Sequence, residues 1–251
     1  MTITFLGTGT SQGVPVIACA CEVCRSTNSK DKRLRSAIHI QVDQQSIVID
    51  TGPDFRQQLL RENITQLDAV VYTHEHKDHT AGLDDVRAFN YKDKKAMPVY
   101  AEQRVLHSLK NEYPYIFSDY PGVPQIQLNA IKNEIFTIQN TSIQPIRVLH
   151  KNLPILGYKI KQFAYITDAS HITDQELEKL QGIHTLVLNA VRREPHHSHF
   201  TLEQALGIFQ KIKPTQGYIT HISHLLGKHQ DVSKELPSNI QLAYDGLQLK
   251  F

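Results

Sequence analysis

The sequence predicts an α/β protein built as an αββα sandwich, and three observations carry that expectation. Two strand-rich halves have helical segments between them. The ligand-type polar residues His74, His150, Asp168 and His221 follow apolar, strand-like runs, where open α/β sheets place their ligands. No repeat, low-complexity tract or linker breaks the 251 residues, so a single domain over 1–251 is expected.

Taken in order, residues 3–6 read as a first strand, followed by the loop Gly7-Thr8-Gly9-Thr10-Ser11-Gln12-Gly13. Residues 37–42 and 46–50 flank Asp43-Gln44-Gln45 as a hairpin. Asp54 is placed to cap a helix over 55–62. The apolar run 67–73 is a buried strand; 98–101 is the next, and 102–112 a helix. Residues 113–124, rich in proline and tyrosine, form a surface insertion that suits a homodimer contact or a lid equally. Residues 126–131, 135–138, 142–149 and 155–165 then read as consecutive strands. The last third alternates helix 174–181, strand 185–189, helix 201–213 and strand 216–220, and segments 241–243 and 247–251 close the chain.

Composition bounds the function. Forty per cent apolar and 21% charged residues are ordinary for a globular chain. No apolar stretch approaches the ~20 residues of a membrane span, and the start Met-Thr-Ile-Thr-Phe-Leu-Gly has no targeting signature, so a cytoplasmic protein is expected. A net charge of +2 does not advertise nucleic-acid binding. The basic clusters Lys30-Lys32-Arg33-Arg35, Lys92-Lys94-Lys95 and Arg192-Arg193 read as solvated faces. Arg87 lies near enough in sequence to the histidine loop to meet a substrate phosphate.

The richest stretch is His74-Glu75-His76-Lys77-Asp78-His79. Imidazole and carboxylate donors suit zinc, iron or manganese, and even without Glu75 four candidate ligands exceed the three that one catalytic ion usually takes. The spacing therefore points to two ions. His150, Asp168 and His221 are of the right type to complete the set, while Asp50 suits a supporting role behind the histidine loop. Cys19, Cys21 and Cys24 are an odd, tight cluster, poor as disulfides and reasonable as metal thiolates. The glycines at 7, 9 and 13 are followed by Pro15 and the cysteine loop rather than a helix, so the dinucleotide fingerprint fails.

His-x-His-x-Asp-His followed by single His, Asp and His residues resembles the metallo-β-lactamase-fold hydrolases, whose fold is two packed mixed β-sheets flanked by helices. That resemblance implies His74, His76 and His150 on one ion, Asp78, His79 and His221 on the other, and Asp168 bridging both with a shared water. Phe5-Leu6-Gly7-Thr8-Gly9-Thr10-Ser11-Gln12-Gly13-Val14-Pro15 with Cys19-x-Cys21-x-x-Cys24 narrows it to the PhnP-like phosphoribosyl cyclic-phosphate phosphodiesterases. For those it implies two catalytic Mn²⁺ or Zn²⁺ ions, a small phosphodiester substrate, and a structural zinc on Cys19, Cys21, Cys24 and His224. It also implies a proton donor before a helix; His199, two residues before Thr201, matches that position and would work with an imidazole pKa near 7, whereas His196 and His197 read as a solvated turn. A transfer-RNA 3′-end endonuclease is the first alternative, disfavoured because only a hairpin's length of chain separates positions 150 and 168. A non-hydrolytic PqqB-like protein is the second.

Overall fold

The structure, a computed structural model, describes residues 1–118 and 121–251. Contacts divide it into two compact units, each assembled from separated stretches: 1–6, 37–132 and 246–251 form the first, and 7–36 with 133–245 the second.

The first unit is organised on strands β1 (Thr2–Gly7), β2 (Ala37–Val42), β3 (Gln45–Ile49), β4 (Ala69–Val71), β5 (Met97–Glu102), β6 (Ile126–Ile131) and the chain's last strand, β14 (Gln248–Lys250). They lie in the order β14-β1-β2-β3-β4-β5-β6. β2 and β3 are an antiparallel hairpin with Val42 opposite Gln45. Asp43 and Gln44 at its tip have φ of +50° and +64°, the double left-handed geometry that matches strand twist in a two-residue loop. From β3 to β6 the sheet is parallel. β3 and β4 are buried along their whole length, as parallel strands covered on both faces must be. Helices Phe55–Arg61 and Gln103–Glu112 contribute Phe55, Leu59, Val105 and Leu109 to a core with Val48, Val70, Tyr72 and Val99. Asp54 occupies the N-cap position of the former helix, but its side chain makes no capping hydrogen bond.

A helix, Arg87–Asp93, stands where no element was anticipated; it closes on Lys94 at φ +51°, and Asn90 anchors it by donating to the carbonyls of Lys95 and Gln125. In the 113–124 insertion, Pro114–Phe117 forms a 3₁₀ turn; residues 119 and 120 lie outside the described residues.

His39, on β2, has 5% of its surface exposed and shares a 2.8 Å hydrogen bond between Nε2 and Ser46 Oγ. Burial pulls its pKa down to about 4. The unfolded chain, with histidine near its ordinary value of ~6.5, binds more protons between those two values, so this contribution to stability is complete above pH ~6.5 and is lost as pH falls toward 4. Melting temperature should therefore fall over that window, and His39→Gln should make the fall measurably shallower.

The second unit carries β7 (Phe136–Ile138), β8 (Thr141–His150), β9 (Leu153–Ile160), β10 (Phe163–Tyr165), β11 (Thr185–Asn189), β12 (Gln216–Thr220) and β13 (Ile240–Leu242), in the order β13-β12-β11-β10-β9-β8-β7. β7 to β10 are antiparallel and β10 to β13 parallel. The expected single strand over 155–165 is two strands, because Lys161 adopts φ +53° and turns the chain so that Ile160 faces Phe163. Parallel β11 and β12 need a crossover, and helix Leu202–Ile212 supplies it. Its start is fixed by a reciprocal capping box between Thr201 and Gln204. Leu202, Ala205, Phe209 and Ile212 of this helix pack into a core with Ile166, Leu186, Leu188 and Ile219. Among the described residues no helix is long and apolar enough to cross a membrane.

Candidate functional site

In the first unit, β4 leads into the histidine loop, whose residues Lys77–Thr80 make one helical turn. A four-residue helix is not stable alone, so the loop depends on what holds it. Asp50, just past β3, does most of this. Its carboxylate accepts the Thr73 N–H at 2.9 Å, the Thr73 hydroxyl at 2.8 Å and His79 Nδ1 at 2.7 Å. The supporting role expected for Asp50 is thus what the geometry shows. Burial raises the Asp50 pKa, opposed by the His79 ring. Thr51 donates to the His79 carbonyl and Gly82 to that of Thr51, each at 2.8 Å. A Cβ at Gly82 would stand 2.3 Å from the Gly52 carbonyl oxygen, so only glycine permits this approach.

Within that frame the His74 and His79 rings lie 4.3 Å apart, those of His74 and His76 4.6 Å apart, and Asp78 Oδ2 is 3.3 Å from His79 Nε2. His74 and His79 are buried, Asp78 is half-buried and His76 is exposed. Glu75 and Lys77 serve differently. Glu75 pairs with Arg104, Lys77 with Glu112 at 2.6 Å, and the Tyr113 hydroxyl donates to the Thr80 carbonyl at 3.0 Å, so the segment 104–113 braces the loop from outside. Sequence reasoning missed this brace. Arg87, expected near a substrate phosphate, is exposed and held by Asp84 at 2.8 Å.

In the second unit, Asp168 Oδ1 accepts the Thr167 hydroxyl at 2.6 Å and lies 3.0 Å from His221 Nδ1. His150 Nδ1 donates to the Asp168 carbonyl at 2.8 Å. Asp168 and His221 have φ of +60° and +52°, and Asp50 in the first unit +66°. Such left-handed positions in non-glycine residues persist only where the surroundings over-determine them, and they concentrate at functional sites. The His199 ring lies 4.7 Å from that of His150 and 4.8 Å from that of His221. Ligand atoms of His150, Asp168 and His199 all fall within 4.8 Å of one another. His196 is half-buried at 4.9 Å from the His199 ring and stacks at 4.5 Å on the exposed His197, so the expected solvated turn describes His197 alone.

Four histidines share a feature that suits metal binding. In His79, His74, His150 and His221, Nδ1 is engaged by Asp50, Thr73, the Asp168 carbonyl and Asp168 respectively. Fixing Nδ1 orients the ring and leaves Nε2 as the ligand atom. His199 is different: its Nδ1 is buried with no hydrogen-bond partner. Burial first, and then the His221 ring, pull its pKa down to about 3, well below the expected value near 7. A phosphate beside it would push the other way.

The thiol cluster is also in the second unit. Cys19 and Cys21 Sγ each lie 3.3 Å from His224 Nδ1, and the ligand atoms of all four residues fall within 4.8 Å of one another. A tetrahedral zinc with bonds of ~2.3 Å to sulfur and ~2.0 Å to nitrogen sets S and N about 3.5 Å apart. The arrangement therefore fits the expected Cys₃His site. The Cys24 N–H and then the His224 ring lower the Cys21 pKa to about 6, while burial raises that of Cys24 to about 11. Ile222 donates to the Thr8 carbonyl at 2.8 Å, so the glycine loop runs against the segment that carries His221 and His224. Arg33, expected on a solvated face, is buried and donates to Thr8 Oγ1 at 2.8 Å and the Ala243 carbonyl at 2.7 Å.

Comparison with known proteins bears on the fold and the family. The model of the beta-lactamase superfamily domain matches residues 45–222. A solved diphosphatase of the PhnP family is 42% identical, with a TM-score of 0.94 over 100% of this chain and 97% of its own. Zinc-bound PqqB from Methylobacterium extorquens, 20% identical, shares the fold at a TM-score of 0.83 over 100% of both chains. An octanoyltransferase of Porphyromonas gingivalis is 42% identical over 253 residues, covering 99% of this chain and 51% of that protein. The chain spans about half the length of the curated relatives it matches.

Proposed function

The chain belongs to the beta-lactamase superfamily and stands near its PhnP family, and on that premise we propose that it hydrolyses small phosphate diesters, cyclic ones included, with two divalent ions. Metal-dependent hydrolysis goes with the family; the substrate and the ion count are our reading. The observation that carries it is the set of four histidines whose Nδ1 atoms are engaged by neighbouring groups, which suits Nε2 to the role of a metal ligand. We assign His74, His76 and His150 to one ion, Asp78, His79 and His221 to the other, and Asp168 to both. Divalent ions held by these residues would supply an acidified water and neutralise charge at phosphorus.

The protein's own residues do the rest. Asp50 and Thr73 hold the ligand rings against rotation. Asp168 brings negative charge to the centre, and His199 stands beside it to pass a proton to the departing oxygen once an anionic substrate has raised its pKa.

A second reading has its own support. The 42%-identical PhnP-family neighbour is a diphosphatase, and cleaving P–O–P releases a phosphate, which departs without the protonation that an alkoxide needs. His199, held neutral within the His150–Asp168 trio, would then serve as a ligand rather than an acid. Octanoyl transfer is the activity of a relative about twice the matched length. It calls for a nucleophile, whereas the thiols here converge on His224 as in a closed metal site.

Phosphoribosyl cyclic phosphate, an aryl phosphodiester, a nucleotide-sugar diphosphate and a precursor transfer RNA, offered side by side to manganese- and zinc-loaded protein, separate these readings. Turnover of the small diesters with RNA intact is expected. Cleavage of the diphosphate alone selects the second reading, and cleavage of RNA alone, or no turnover, sinks both.

A further inference from the structure

We propose that Asn189 is a positioning residue, holding Asp168 and His199 in one register through the peptide group of Ala169. The inference rests on the functional reading above. Asn189 is the last residue of β11 and is fully buried. Its Oδ1 accepts the Ala169 N–H at 2.7 Å, and its Nδ2 donates to the Ala169 carbonyl at 2.9 Å. The same carbonyl accepts the N–H of Phe200 at 2.8 Å. Ala169 follows Asp168 and Phe200 follows His199, so one side-chain amide and one backbone carbonyl join the two. His150 is tied to the same point, because its Nδ1 donates to the Asp168 carbonyl.

Asn189 belongs to a pattern. Strands β3, β8 and β12 each end in, or run directly into, Asp50, His150 or His221, and Asp168 lies three residues past β10. At the end of β11 an amide stands in the corresponding place, with both its donor and its acceptor committed to a peptide group rather than offered to an ion. Asn is suited to this and Asp is not, since one peptide needs a donor and an acceptor together. The strain at Asp168, φ +60°, needs surroundings that over-determine it, and two buried hydrogen bonds to the next residue supply part of that. A residue that only filled the core would lower stability when changed, leaving ion affinity in the folded protein unaltered.

Asn189→Asp keeps the shape and the acceptor but sets a carboxylate oxygen against the Ala169 carbonyl. Asn189→Ser removes the two-point grip. In each, the affinity of the exchangeable ions is measured by equilibrium dialysis against buffered Mn²⁺, with the thiol-bound zinc as internal control, and kcat and KM are measured on an aryl phosphodiester. Ion affinity and kcat should both fall ~10–100-fold with KM within about threefold of wild type and the zinc retained. Folded variants with affinity and kcat within about twofold of wild type would overturn the proposal. If neither variant folds, hydrogen exchange on the wild-type chain decides. The Ala169 amide should exchange only with global unfolding, and exchange by local opening would overturn the latch. Wild-type protein that binds no exchangeable ion would contradict the functional reading instead, and the exchange measurement would still judge Asn189.

Discussion

Asp168→Asn is expected to lower kcat/KM on a phosphodiester by on the order of 10³-fold or more while the fold survives, since a two-ion centre contributes several kcal/mol to the transition state. Asparagine tolerates the left-handed backbone at this position, φ +60°, and its amide oxygen can still accept the Thr167 hydroxyl. What it loses is the charge we assign to both ions. A melting temperature close to wild type together with reduced ion binding would locate the effect in the site. His76→Ala should likewise remove activity at little structural cost, because His76 is exposed. Near-normal turnover by either variant would contradict the assigned ligands.

Cys21→Ser should act through stability. Cys21 Sγ lies against His224 and also accepts the Cys24 N–H, at 3.5 Å, at the start of helix Glu22–Arg25. A structural zinc can contribute ~10 kcal/mol or more to folding, against a total stability of ~5–15 kcal/mol for a typical protein. Losing even half of that should drop the melting temperature by ~10 °C or more in a chain of this size. Zinc content should fall by one per chain. Unchanged melting and unchanged zinc would remove the thiol site from the account.

Much of this was legible in the sequence because strand-end chemistry leaves a one-residue signature: an apolar run, then a single His or Asp. Asp50, His150 and His221 each follow that rule, and the structure gives each a buried or half-buried place with an engaged side chain. Asn189 also ends an apolar strand, but an amide does not announce itself as a ligand. The brace on the histidine loop was invisible for another reason. Arg104, Glu112 and Tyr113 sit on a helix and a turn whose spacing says nothing about which distant loop they meet. The burial of Arg33 is not legible locally, because it depends on Thr8 and Ala243, far away in sequence. The two-unit division left no linker to find, since each unit draws on separated stretches of chain.

The most direct test counts metal ions per chain and follows hydrolysis of an aryl phosphodiester through chelation and reloading. One zinc that resists chelation under native conditions and two ions that exchange are expected, with activity leaving and returning as those two do. Hydrolysis that persists when the exchangeable ions are gone, or a chain that takes up a single ion in all, would contradict that expectation.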